Sequence, residues 1–309
     1  MNGATAAAWP ASAIRIRDPF ILPHPESGLY FLYAQVHNRD GALPAGVEVY
    51  WSRDLKQWTG PEPVLTLSEG FWGPRTIWAP EVHLYRGRYY LFATMHPDPA
   101  RIVDGLRHKG TQVFVSDSPR GPFAPFANRP HTPAEWMSLD GTLYVEDGQP
   151  WMVFCREWGQ VGDGTMECMK LRDDLSSAAG EPITLFRGSD ASWSAPIGPE
   201  RNAYVTDGPF LYRSVAGKLI MIWSTMGKEF TYKQGMAVSA SGRVAGPWQQ
   251  IEPPLIETDG GHGMLFRTFE GDLLMAIHHP NKGDLERLHL FSIQDRYDRI
   301  ALDEAIPLL

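Results

Sequence analysis

The chain repeats a short hydrophobic opening five times, at intervals of roughly 60 residues. The openings are Asp18 in RDPFIL, Glu81 in WAPEVHLY, Asp140 in LDGTLY, Asp207 in TDGPFLY and His262 in GGHGMLF. A second apolar run follows each one: LYFLYAQ from Leu29, YYLFATM from Tyr89, WMVFCRE from Trp151, LIMIWST from Leu219 and LLMAIHH from Leu273. Polar or glycine-rich turns (ESG, RGR, EDGQ, VAGK, EGD) separate the two runs, which is hairpin punctuation. A third run ends near Ser52, Ser116, Ser239 and Ser292, with Leu171 in that place in the third copy. Each unit thus holds three short strands, with room for a fourth, and no helical periodicity interrupts the pattern. Units of this size bury their faces against one another. Four-stranded sheets repeated radially make a propeller. The expected fold is all-β: a five-bladed β-propeller, with mostly four-stranded antiparallel blades around a central channel. Residues 1–309 are read as one domain. A generic β-sandwich is the alternative, and the matched internal offsets argue against it.

Charge and composition narrow the partners. The net charge of −8 comes without a basic stripe, so nucleic acid is a poor candidate. No apolar run is long enough to span a bilayer. The opening residues MNGATAAAWPAS lack the charged and apolar regions of a secretion signal, and the compartment is left open. Cys155 and Cys168 flank the turn VGDG, where a hairpin disulfide is geometrically open to them. Two cysteines make no disulfide framework, so two free thiols are expected, and the paired spacing of a zinc site is missing.

A radial array gathers the five openings at one end of the channel. Second strands run antiparallel to the first, so their ends return to that face. They bring Gln35 and His37, Met95 and His96, Arg156, Glu157 and Trp158, Ser224 and Thr225, and His278 and His279. Trp72 and Trp78 precede the second opening and Trp193 the fourth. Flat aromatic faces beside clustered acids suit a sugar ring, so a carbohydrate is the expected partner. Each residue also has a plain reading: tryptophan as blade packing, a strand-end histidine as a satisfied structural group, Asp before Gly or Pro as a turn former.

Together RDPFI, WAPE and SRDLKQW resemble the family 43 glycoside hydrolases, over nearly the whole chain. The resemblance implies a five-bladed propeller acting on arabinofuranosyl and xylosyl linkages, with three acids. Asp18 matches the general base and Asp140 the acid that tunes and orients the proton donor. Asp207 stands where the family carries a glutamate as general acid, in TDGPFLY. The shorter arm of Asp207 leaves Glu157, then Glu200, as rival acids. The implied chemistry is single-step inversion, in which a carboxyl protonates the leaving oxygen while an opposing carboxylate activates water. Such a pair stands roughly 6.5–9.5 Å apart. Trp78, Glu81, Trp158, His96 and Arg287 are candidate sugar contacts, with a surface salt bridge as the other reading of Arg287. His262 matches a channel histidine of arabinan-cleaving members, which sits beside a hydrated calcium or other cation. No cofactor is required by the chemistry.

The leading expectation is therefore an α-L-arabinofuranosidase. A β-xylosidase or galactofuranosidase is the near alternative. A glycoside phosphorylase using Arg156 and nearby histidines to hold phosphate is a second class, and a non-catalytic sugar-binding propeller a third.

Overall fold

The computed structural model describes residues 8–36, 45–297 and 299–308. They form five antiparallel sheets, one per repeat, whose strands follow chain order from the channel outward. The inner strands are Phe20–His24, Thr76–Tyr85, Ser138–Glu146, Asp207–Arg213 and Gly261–Arg267. The second strands are Leu29–Gln35, Arg88–His96, Gln149–Arg156, Leu219–Met226 and Leu273–His279. Third strands run Gly46–Ser52, Gly110–Ser116, Thr165–Lys170, Tyr232–Ser239 and Arg287–Arg296. Outer strands complete each blade, and Ala8–Pro10 adds to the outer edge of the first by pairing with Gln57–Thr59. The five-bladed propeller expected from the repeats is the fold observed.

The unbroken apolar runs of the second strands have a plain cause. Phe31 to Ala34, Met152 to Cys155 and Ile220 to Trp223 are all buried, because neighbouring blades cover both faces. A strand without a solvent face has no reason to alternate. Each large side chain so buried stabilises the fold by roughly 1.5–3 kcal/mol. In the first two blades the recurrent serine closes the turn to the outer strand: Ser52 Oγ accepts the Leu55 N–H at 2.9 Å, and Ser116 Oγ accepts that of Ser118 at 3.1 Å. Cys155 opposes Met166 and Cys168 opposes Val153, so the two thiols are free and buried.

In blades two to five the register shifts just inside the inner strand. The residue at each shift has a left-handed backbone: Ala79 (φ 44°), Asp140 (55°), Gly208 (50°) and His262 (52°). Asp18, with φ 51°, takes the same place ahead of the first inner strand. Asp and His tolerate this region better than most residues. The bulge corrects the alignment of the openings read from sequence. Glu81 lies two residues past the left-handed position, and Asp207 lies one before it. A bulge adds a residue on one strand and re-aims the side chains around it.

The N–H of several left-handed residues is held by the preceding blade. Asp140 donates to Thr94 Oγ1 (2.8 Å), His262 to Ser224 Oγ (2.8 Å) and Asp18 to His278 Nδ1 (3.2 Å). Polar residues at the ends of otherwise apolar second strands therefore have a structural duty. The ring closes where the fifth blade meets the first, and among the described residues no strand is exchanged between the two. At this seam the Ile16 N–H donates to the Glu286 carbonyl (3.3 Å), and Tyr30 stacks on Phe269 with centroids 4.2 Å apart.

Candidate active site

A cavity of about 590 Å³ opens where the inner strands begin. Asp18, Asp140, Asp207 and His262 line it, with Trp78, Glu157 and Trp158 around them. His262 Nδ1 lies 3.1 Å from Asp18 Oδ1 and 3.9 Å from Asp140 Oδ2. Gly208 explains how the imidazole reaches this point: a Cβ there would meet the His262 ring at 2.8 Å. The Gly208 N–H also donates to Asp140 Oδ2 at 3.1 Å. One glycine after Asp207 thus admits the histidine and fixes the neighbouring acid.

Burial and charge drive these groups apart. Burial raises the pKa of Asp18, but the His262 imidazolium and the Arg17 guanidinium outweigh it and hold that carboxyl well below the usual range. Asp140 goes the other way: burial first, then the charges of Asp207 and Asp18, push it up to about 7 against the pull of His262. Asp207 is also raised, chiefly by burial, with His262 and Arg17 opposing. Burial disfavours the charged ring of His262, yet Asp18 and Asp140 more than compensate and raise it to about 9. The constellation therefore sets one carboxyl with a lowered pKa against two with raised ones, the division of labour that acid–base catalysis needs.

His278 is the second support of Asp18. Its Nδ1 accepts the Asp18 backbone N–H, so its proton sits on Nε2, which reaches Asn281 Oδ1 at 3.2 Å. The 3.4 Å approach of the same Nδ1 to Asp18 Oδ1 is then not a hydrogen bond. Arg17 donates to Asn281 Oδ1 (2.8 Å) and to the buried carboxylate of Glu286 (2.6 Å), and its Nε stands 3.7 Å from Asp18 Oδ2. Tyr232, buried on the cavity wall, donates to Asp207 Oδ2 at 3.1 Å.

The other predicted residues divide. Glu157 lines the cavity, where its Oε1 lies 2.5 Å from Lys109 Nζ; that ammonium also sits 4.6 Å above the Trp78 ring. His96 is not on the wall. It packs edge-on behind Trp78 with centroids 4.0 Å apart, and burial, then Lys109 and Arg75, press its pKa down to about 3. Glu81 points away from the cavity and receives His83 Nε2 at 2.8 Å. Arg287 donates to the carbonyls of Ser12, Asp284 and Glu286, and among the described residues it makes neither a cavity contact nor a side-chain salt bridge. Arg156 lies 4.1 Å over Trp136 and donates to Gln160, away from the cavity. Glu200 is exposed beside Asn202. Trp72 and Trp193 pack within the blades. His37 and positions 38–44 lie outside the described residues.

No group of three or more His, Cys, Asp or Glu side chains arranged to hold a metal ion exists among the described residues. His262 turns Nδ1 toward Asp18 and Asp140, whose charges favour the protonated ring, a form that cannot ligate at that atom. The residues present do not fit a directly ligated ion.

The sequence model of Glycosyl hydrolases family 43 matches residues 8–296. The chain belongs to this family. An endo-arabinase structure from Bacteroides thetaiotaomicron VPI-5482 is 40% identical with a TM-score of 0.83, covering 93% of this chain and 97% of that one. Xylosidase/arabinosidase 43A of Humicola insolens is 30% identical over 147 residues, 47% of this chain and 37% of that protein. A putative beta-xylosidase of Escherichia coli (strain K12) is 25% identical over 256 residues, 75% of this chain and 42% of that protein. The chain thus spans about two-fifths of the length of the curated relatives it matches. Within this glycoside hydrolase family, the missed contributors are Arg17, Lys109, Tyr232, Asn281 and Glu286. Lys109 and Tyr232 stand at or just before third-strand starts, which return to the same face as the openings.

Proposed function

We propose that this family 43 domain hydrolyses α-L-arabinofuranosyl linkages with inversion. The observation that carries the reading is the gathering of three carboxyls around one cavity with opposed pKa shifts: Asp18 lowered, Asp207 and Asp140 raised. Asp18 takes a proton from water as the water oxygen bonds to the anomeric carbon. The bond from that carbon to the leaving oxygen breaks, and Asp207 gives its proton to that oxygen. Asp140 accepts the Gly208 N–H and so holds the backbone beside the donor in place, while the charge of Asp18 helps burial to keep the proton on Asp207. Glu157 is the weaker candidate for the acid, because its carboxylate already faces the Lys109 ammonium. Trp78 and Trp158 line the cavity as apolar walls for the sugar.

The arabinan-directed choice rests on the 40% identical endo-arabinase. A β-xyloside is the second reading, supported by the relatives named as xylosidases. The test is release of nitrophenol from α-L-arabinofuranoside, β-D-xyloside and β-D-galactofuranoside, together with product analysis on arabinan. Proton NMR of the first-formed sugar should show the inverted anomer. Turnover of the xyloside alone would replace the arabinose assignment, and a retained anomer would remove the single-step mechanism.

A further inference from the structure

The acid position has a partner that neither the sequence motifs nor the family assignment supplies. Tyr232 begins the third strand of the fourth blade and points its hydroxyl at Asp207 Oδ2, 3.1 Å away. Three contacts fix the ring. It stacks on His278, centroids 5.6 Å apart and planes 17° from parallel. Its backbone N–H donates to Asp259 Oδ1 at 3.0 Å. Gly261 leaves the space the ring occupies, since a Cβ there would lie 2.9 Å from the ring edge. His278 in turn accepts the Asp18 N–H. A single stacked pair therefore joins the wall behind the base to the wall behind the acid.

We propose that Tyr232 is the positioning residue of the proton donor: its O–H claims Asp207 Oδ2, leaves Oδ1 to carry the proton toward the leaving oxygen, and sets the pH at which that proton is lost. The inference rests on Asp207 being the acid. An aspartate has one fewer torsion than a glutamate with which to adjust its aim, so a fixed neighbour matters more to it. The phenol stays protonated, because burial, then the charges of Asp207 and Asp18, raise it well above its ordinary value. A donated hydrogen bond favours the ionised carboxylate and so lowers its pKa. The other groups facing Asp207 are His262 from the fifth blade, Arg17 and Asp18 from the first, and Asp140 and the Cys155 thiol from the third. Burial raises Asp207 against the pull of His262, Arg17 and Tyr232. Removing the phenolic oxygen should therefore raise the acid's pKa and extend activity to higher pH.

The test compares wild type, Tyr232→Phe and Asp207→Asn on an alkyl and a nitrophenyl glycoside, each across pH, with thermal unfolding of all three. The phenylalanine ring keeps the stack on His278, so its midpoint should stay near that of wild type. In Tyr232→Phe the alkaline limb of kcat should move up by about one pH unit. Its kcat on the alkyl glycoside should fall by about tenfold, with little change on the nitrophenyl substrate or in KM. Asp207→Asn should lose the alkyl substrate selectively and flatten the alkaline limb. If Asp207→Asn shows that selectivity while the limb of Tyr232→Phe stays where it was, the role of Tyr232 is wrong and the acid assignment stands. If Asp207→Asn loses both substrates equally, the acid assignment falls and the role of Tyr232 falls with it.

Discussion

Replacing His262 by Asn removes the cation that faces both Asp18 and Asp140 while keeping a residue type that accepts φ 52°. The fold holds this ring's pKa at about 9 rather than 6.5. That difference of about 2.5 pH units corresponds to about 3 kcal/mol. Burial works against it, so the attraction from the carboxylates is at least as large, and Asp18 supplies the leading share. The sign for activity follows from the role of Asp18. It must be ionised to accept a proton, and with His262 present it stays ionised far into acid. Without His262, burial is opposed mainly by Arg17, the Asp18 pKa rises, and the acidic limb of kcat/KM should move up by about 2 pH units. The sign for stability is separate. A raised histidine pKa stabilises fully below the unfolded value of 6.5, and that benefit is lost as pH rises through about 9. The variant should be about 3 kcal/mol less stable than wild type near pH 6, with the gap narrowing above pH 9. Urea unfolding at about pH 6 and about pH 10, beside pH–rate profiles on a nitrophenyl glycoside, measures both. An acidic limb that stays put, with an equal stability gap at the two pH values, refutes a charged His262.

Asp18→Asn should lower turnover on the order of 10³-fold while leaving the far-UV circular dichroism unchanged; near-normal turnover would move the base elsewhere. Glu157→Gln should leave the ratio of alkyl to nitrophenyl glycoside rates as in wild type, and a selective loss of the alkyl substrate would make Glu157 the acid. Glu286→Gln weakens the pairing with Arg17 at the seam and should cost about 2 kcal/mol in urea unfolding. The same variant should raise KM more than it lowers kcat if Arg17 also touches substrate, and unchanged stability would show that the seam does not rest on this pair.

The blades were legible because their second strands are buried on both faces, which forces long apolar runs between polar turns. The acids Asp18 and Asp140 were legible because the left-handed bulge suits aspartate, so turn chemistry and site chemistry select the same residue. The bulge itself misled the alignment. Nothing local to WAPE says that Ala79 rather than Glu81 takes the left-handed place, and Glu81 consequently belongs with His83 instead of the cavity. Arg287 carried the right side-chain type at the right face, but neighbouring carbonyls consume its donors. Arg17 was in plain view beside Asp18; its value depends on Glu286 and Asn281, far along the chain, and only the closed ring brings them to it. Tyr232 and Lys109 were missed, although strand alternation carried one step further, to the starts of third strands, points to them.

The support of Asp18 comes from the fifth blade. The Asp18–His278 hydrogen bond spans 260 positions and the Arg17–Glu286 pair spans 269. Bringing together chain ends that far apart costs on the order of 5 kcal/mol of loop entropy by logarithmic scaling, unless intervening blades have already folded and shortened the search. Synthesis proceeds from the N-terminus. A chain emerging from the ribosome therefore carries Asp18 early and in the open, without the His262 charge that lowers its pKa or the glutamate that anchors Arg17. The surroundings of Asp18 are therefore completed only when the fifth blade closes on the first.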